Sequence, residues 1–336
     1  MEGITIEIIR KSELLPSLNE ENFFHSAELF RITEQVPGSS PFMAVAMKDG
    51  RPIAHLLAVV RRRIIWLPFV LLKQGRIYGE GVYHDTDKDA PAQEDYGTVP
   101  QEELFGLMLK ALTRRLVHSL CFFVEVSDIS RKMFGYREFP RYGYFPLHWQ
   151  EIHNSLHSKS PEERIDVKLK DRIAKSYANG IITREVASID EGCRFYRLLK
   201  GFYRLKLRRL IPPEKQFVEL YKNKRATILV TLYKNKIIGG SVCVFSEGNA
   251  YLWYLASKRK TYHSLHPNTM TVWYALRYAH AHNYAHMYFM DVGLPWKRNA
   301  FREFILSFGG KPVGTYRWFR FTIPWVNKIL SWWYRD

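Results

Sequence analysis

The run Tyr288 to Pro312, YFMDVGLPWKRNAFREFILSFGGKP, places an acid, Asp291, at the end of an apolar, strand-like segment. Two cations, Lys297 and Arg298, follow a few residues later, just before a compact aromatic helix. Strand ends are where the sites of α/β proteins collect, so Asp291 is read as a group that orients or takes a proton. Lys297 and Arg298 carry the charge to meet a phosphate or a carboxylate. Together the three describe the rim of a cleft for an anionic substrate; the plainer alternative is an acid satisfying loop amides beside solvated cations.

Other segments carry chemistry of the same sign. Asn268 and Thr269 open a helix just after the basic stretch SKRK (Ser257 to Lys260), where free helix amides favour an anion and where simple N-capping is the rival. From Phe195 to Lys215 cations interleave with aromatics, and Arg204, Lys206, Arg208 and Arg209 lack nearby acids. Such a run contacts a polyphosphate or a tRNA backbone, while Phe195, Leu198, Leu199 and Phe202 face inward. His280, His282 and His286 offer only one i, i+4 pair and no acid on that turn, so no metal is expected.

Composition frames these candidates. The 336 residues suit two domains, each of about 150 residues. Hydrophobic content of 46% and aromatic content of 15% exclude wholesale disorder. The net charge of +17 favours an anionic partner: nucleic acid, a phosphorylated ligand or an anionic membrane face. Cys121, Cys193 and Cys243 are far apart, form no Cys-x-x-Cys pair and read as buried free thiols of a reducing compartment. The longest uncharged apolar run, Ile64 to Leu72, contains a proline and is much shorter than the roughly 20 residues of a membrane span. With no signal-peptide pattern at the start, the expectation is a cytoplasmic protein, in reach of the inner membrane face. At the C-terminal end Trp325, Ile329 and Trp332 share one helix face, which either docks on the domain or lies at a lipid interface.

The elements that must position these residues repeat. The second half reads strand (Gly180 to Val186), helix (Asp190 to Arg209), helix after Pro212-Pro213, and a three-strand meander turning at Lys234-Asn235-Lys236 and Glu247-Gly248-Asn249. A helix with Met270, Trp273 and Leu276 on one face follows, then a strand ending at Asp291. Next comes an Asn299-capped helix with Phe301, Phe304, Ile305 and Phe308 at i, i+3, i+4, i+7, stopped by Gly309-Gly310, then a last strand and a terminal helix. The first half shows the same order, with the turn Lys48 to Gly50 answering Lys234 to Lys236. A duplicated domain is therefore expected, with the join in the polar stretch near residues 150–165 and domains over 1–160 and 161–336.

Strand, two helices, meander, helix, strand, helix, strand resembles the GNAT N-acyltransferase fold. Two such domains in one chain resemble the FemAB group, acyl and aminoacyl transferases that build peptidoglycan cross-bridges and act in envelope polysaccharide pathways. Three stretches carry the likeness: Lys168 to Ile181 (KLKDRIAKSYANGI), Tyr262 to Gly293 with its Pro-x helix start and terminal aspartate, and FREFILSFGG, with Arg302 where lysine is usual. The chain departs from the superfamily where Arg259 to Ser264 (RKTYHS) lacks the glycines that cradle a coenzyme A pyrophosphate, and Tyr262 obstructs that approach.

The resemblance implies an α/β (α+β) class, with two tandem GNAT-like domains, each a mixed, mostly antiparallel sheet flanked by helices. It implies a gap between two sheet strands near positions 256 and 291, where the donor lies. Asp291 then orients or deprotonates the amine and Tyr254 protonates the leaving group, while strand alternation puts Trp253 and Tyr254 on opposite faces. Arg259, Ser264, Asn268 and Thr269 hold the donor; Lys297, Arg298, Arg302 and Arg209 hold the acceptor. Acyl-coenzyme A is the expected donor and aminoacyl-tRNA the alternative. The acceptor is an amine on an anionic, small or lipid-linked envelope precursor, with tRNA and peripheral membrane contact as further partners. A duplicated scaffold that only binds glycan or nucleic acid is the reading from another class.

Overall fold

A computed structural model describes residues 3–62, 73–84, 100–127, 134–203, 211–290, 292–294 and 298–334. The apolar run Ile64 to Leu72 lies outside them. In chain order the elements are β1 (Ile4–Ile9), α1 (Ala27–Gln35), β2 (Ser39–Lys48), β3 (Arg51–Arg62), β4 (Lys73–Tyr78), β5 (Val82–Tyr83), α2 (Gln101–His118), β6 (Cys121–Ser127), α3 (Glu138–Arg141) and β7 (Phe145–Ser155). The second half contains α4 (Pro161–Arg164), α5 (Val167–Ala178), β8 (Ile181–Glu185), α6 (Ile189–Tyr203), α7 (Glu214–Lys222), β9 (Ala226–Tyr233), β10 (Lys236–Ser246) and β11 (Asn249–Ser257). It ends with α8 (Pro267–Ala281), β12 (His286–Phe289), α9 (Ala300–Leu306), β13 (Lys311–Phe321) and α10 (Pro324–Trp333).

The chain divides into two compact units, Met1–His148 with Thr315–Asp336, and Trp149–Gly314. In the first the strands run in the order β1-β2-β3-β4-β6-β13, and in the second β8-β9-β10-β11-β12-β7. Both sheets are antiparallel except where β4 meets β6 and β11 meets β12, which are parallel. The two halves thus share one topology, as the repeated element order predicts. The meanders turn on two-residue hairpins whose central residues both have positive φ, 50° and 75° at Asp49-Gly50, 47° and 61° at Lys234-Asn235. That is the type I′ geometry matching the twist of the flanking strands.

The last strand of each sheet comes from the other half of the sequence. β7 follows α3 but pairs with β12, Ile152 opposite Phe289 and Ser155 opposite His286. β13 follows α9 but pairs with β6, Arg317 opposite Ser127 and Phe321 opposite Phe123. The compact units therefore differ from contiguous halves over 1–160 and 161–336 by residues 149–160 and by the segment from Thr315 onward. Side chains explain where that segment settles. Trp318 stacks on Phe139 with ring centroids 4.4 Å apart, and Arg317 Nη1 donates to Glu125 Oε1 at 2.9 Å.

In the second unit α8 packs on one face of the meander through Met270, Trp273 and Leu276, all buried. α6 and α7 cover the other face through Phe195, Leu199 and Phe217, also buried.

Candidate functional site

The ladder between β11 and β12 is short. Ala250 pairs with Met287, Tyr251 with Tyr288 and Leu252 with Phe289, and there it stops. β11 continues through Trp253 to Ser257 with its ladder to β10 intact, Gly239 opposite Ser257. β12 itself ends at Phe289, and position 291, the other side of the gap expected near 256 and 291, lies outside the described residues. The end of the ladder coincides with a bulge in β11: Val242 pairs with Tyr254 and Cys243 with Leu252, leaving Trp253 as the extra residue. A bulge bends its strand and breaks alternation. Trp253 and Tyr254 accordingly do not point to opposite faces; their rings stack, with centroids 5.5 Å apart and planes 23° apart. The opposite-face expectation is corrected here, because period-2 reasoning holds only in an unbroken ladder.

Tyr254 is buried beneath α6 and α7, its ring 5.5 Å from that of Phe217. Tyr203, the last residue of α6, donates its hydroxyl to the Leu255 carbonyl at 3.1 Å, within the part of β11 beyond the ladder to β12. Just above lies a cleft of about 620 Å³, bounded by α6, the β9–β10 turn and the end of β11. Arg194, Arg197, Lys236 and Lys258 line it with Leu198, Phe202 and Ser257, and none of the described residues that line it is an acid. The nearest acid on α6, Glu191, is occupied: Arg184 donates to both its oxygens at 2.6 and 2.8 Å. Those bonds hold the Glu191 carboxyl below its usual range. Arg194 reaches it only at 3.9 Å. The cleft is therefore cationic and walled by apolar side chains, which suits an anion attached to a hydrophobic or extended group. Leu198 and Phe202, read from sequence as inward-facing, are only half buried and form part of this wall. Spacing at i, i+3 signals Arg194 and Arg197, but only the hairpin fold brings Lys236 and Lys258 beside them.

The predicted donor-binding residues lie at the same end of the sheet. Arg259 is exposed in the turn after β11, and Ser264 is exposed in a short 3-10 turn, His263–Leu265. α8 starts at Pro267, with His266 as its N-cap at φ 45° and no side-chain cap. Asn268 therefore sits inside the first turn, half-buried, and Thr269 is buried. Loop amides are largely spent on their own turns: Thr261 and Tyr262 donate to the Lys258 carbonyl, and Leu265 to that of Tyr262. Tyr262 turns its ring onto Tyr233, centroids 6.1 Å apart.

Beyond β12, Asp291 and Lys297 lie outside the described residues, as does Arg209. The neighbouring loop is tied down on three sides. Asn299 donates to the Val292 carbonyl at 2.7 Å and accepts the Phe301 N–H, capping α9 as its sequence position predicts. Arg302 donates to the Leu294 carbonyl at 2.8 Å, and Gln150 donates its N–H to Gly293. Arg298 is exposed and pairs with Glu303 at 3.6 Å. The double glycine ends α9 for two reasons. Gly309 has φ 79°, and a Cβ on Gly310 would lie 2.6 Å from Asn154 of β7, whose Nδ2 donates to the Phe308 carbonyl. Asn299→Ala removes both the cap and the tie to Val292. It should cost about 1–2 kcal/mol in chemical denaturation and lower turnover, because the loop carrying Asp291 loses its anchor.

His280 and His282 are each engaged by a backbone carbonyl, of Leu156 and Tyr278, and His286 by Asn249. Among the described residues no three His, Cys, Asp or Glu side chains are placed to hold a metal ion. Cys121 and Cys243 are buried, and burial pushes both thiols up to about 12, so neither is a nucleophile. In the first unit β4 pairs with β6 at every residue from Lys73 to Tyr78, so those strands do not part over the length of β4.

Comparison with known proteins follows this geometry. Residues 168–298 match the family model described as the acetyltransferase (GNAT) domain. No curated protein sequence matches the chain. Among solved structures, FemX superposes with a TM-score of 0.63 at 9% identity, covering 97% of this chain and 100% of that one. A tandem GNAT protein from the clavulanic acid biosynthesis pathway gives 0.56 at 10% identity, covering 95% and 99%. L-PGS from Bacillus licheniformis gives 0.58 at 10% identity, covering 91% and 93%. The described residues that line the cationic cleft all lie within the matched segment, so residues 168–298 are read as a GNAT acyltransferase domain, and the chain as a whole shares the tandem fold of FemX and of the clavulanic acid pathway protein.

Proposed function

We propose that the protein transfers an acyl group from acyl-coenzyme A to an amine of an anionic cell-envelope precursor. The carrying observation is the cationic cleft between α6, the β9–β10 turn and the end of β11, the strand that runs on past its ladder to β12; the gap expected beside that free length is where the donor would lie. A thioester lying in that gap presents its carbonyl beside the end of β11. An amine held at the rim attacks it, the C–N bond forms, the C–S bond breaks, and the ammonium proton passes to Asp291. Tyr254 supplies a proton to the departing thiolate, and Arg259, Ser264, Asn268 and Thr269 face the donor's phosphates. Lys297, Arg298, Arg302 and Arg209, with the cations of the cleft, hold the acceptor's negative groups. One observation favours aminoacyl-tRNA as the donor instead. The loop after β11 has no glycine, and its amides are used in local turns, which removes a ready cradle for a pyrophosphate.

Thermal shift with coenzyme A against charged tRNA separates the two donors: stabilisation by only one of them selects it, and by neither sinks both. Asp291→Asn should then lower turnover about 10²-fold, the scale of a lost general base, at an unchanged melting temperature. An unchanged rate removes Asp291 from the chemistry.

A further inference from the structure

Helix α10 leaves its bulkiest apolar side chains in solvent. The side it turns to the first unit is mixed, Val326 and Leu330 half-buried beside Asn327 and Ser331. Asn327 Oδ1 accepts the Phe321 N–H at 2.8 Å, and its Nδ2 donates to the Gly143 carbonyl at 2.9 Å. Tyr334, just past its end, lies parallel to Phe145 with centroids 6.3 Å apart. The outward side carries Trp325, Ile329 and Trp332, which are 67%, 52% and 72% exposed, with Trp333 beside them at 71%. The first three follow i, i+4, i+7 and form one stripe. An amphipathic helix on a globular domain normally buries such a stripe, and a contiguous apolar patch of this kind marks an interaction surface.

We infer that α10 seats the protein on an anionic bilayer surface, lying in the plane of the interface. Three of the four outward apolar residues are indoles, the side chain that favours headgroup depth because its body is apolar and its N–H is wet. Lys328 is exposed on the same helix. The chain's +17 charge complements anionic lipid and opposes association with a second copy of itself. No described helix is long and apolar enough to cross a membrane. α10 has ten residues, about 15 Å of helix, half the thickness of the hydrocarbon core, so its contact is interfacial. The inference stands apart from the proposed reaction and needs no substrate to test.

The test is co-flotation of the full chain with vesicles of phosphatidylcholine, with and without phosphatidylglycerol. The triple variant Trp325→Ser, Trp332→Ser, Trp333→Ser and the single variant Lys328→Glu run beside it. Wild type should bind the anionic vesicles, and the triple variant should bind at least about tenfold more weakly with an unchanged melting temperature, since its three positions face solvent. Lys328→Glu should weaken binding to the anionic vesicles alone, and brominated lipid should quench wild-type tryptophan fluorescence more than that of the triple variant. Failure of wild type to float, or equal flotation of the triple variant, overturns the inference. So does a concentration-dependent dimer in sedimentation that the triple variant abolishes without any vesicle binding, which assigns the face to a second copy.

Discussion

Glu125→Ala is expected to destabilise the first unit by about 3–5 kcal/mol, the cost of leaving a buried charge without its counter-ion. Glu125 sits on β6 as the meeting point of three donors. Arg317 Nη1 donates to Oε1 at 2.9 Å, Gln74 Nε2 donates to Oε2 at 3.0 Å, and Arg76 lies 3.6 Å away. The Arg317 side chain is only 4% exposed and that of Glu125 9%, so water does little to screen the pair. Truncation takes from the buried Arg317 guanidinium the carboxylate it donates to and weakens the attachment of β13, the strand supplied from the far end of the chain. Glu125→Gln keeps hydrogen-bonding capacity but not the charge and should fall between wild type and alanine. Urea denaturation followed by circular dichroism reads the difference; a loss under about 1 kcal/mol would mean the pair is replaceable by water and the attachment rests on Trp318 alone.

Acid should begin to destabilise the same unit before its carboxylates titrate. His25 is fully buried, its Nδ1 accepting the Leu57 N–H at 3.0 Å. His55 is equally buried, its Nδ1 3.1 Å from Nε2 of His84. Burial pushes His25 down to about 4. Burial, with help from the neighbouring imidazoles of His25 and His84, pushes His55 down to about 3. Both stay neutral in the fold while the unfolded chain takes up protons near 6.5. Stability is therefore complete above about pH 6.5 and declines as pH falls toward the folded values, since the unfolded state then binds more protons. The full effect is roughly 3 kcal/mol for His25 and somewhat more for His55, against a total of about 5–15 kcal/mol for a domain. Between pH 6.5 and 5 few carboxylates change charge, so a fall in melting temperature across that window reports the imidazoles. A flat profile there, or one unaltered in His25→Gln with His55→Gln, contradicts this account.

How much of this was legible beforehand differs by residue. Asn299 as a cap, Gly309-Gly310 as a stop, the hairpin at Lys234-Asn235 and the burial of Met270, Trp273 and Leu276 all follow from short-range rules. Each depends on neighbours within a turn or a strand's pleat, so local sequence contains the whole cause. The repeated element order likewise implied the shared topology of the two sheets. Of the site, the basic character of α6 and of the turn after β11 was legible; Asp291 and the gap expected beside it lie outside the described residues. The stacking of Trp253 on Tyr254 was not legible, because a bulge is set by the partner strand's register rather than by the bulged residues. Nor was the company of Arg194 and Arg197 with Lys236 and Lys258, which are far apart in sequence and meet only when α6 lies on the meander.

By itself the sequence determined the alphabet of elements, their order, their duplication and the sign of the charge. Tertiary structure alone decided which sheet receives each final strand and which side of α10 faces solvent. The physical reason is common to both. β7 and β13 carry strand signals that any open sheet edge satisfies, and α10 has one face able to bond to a domain and another able to bury. Selection among such equivalent local solutions comes from contacts distant in sequence, Arg317 with Glu125 and Asn327 with Gly143, which no local pattern contains.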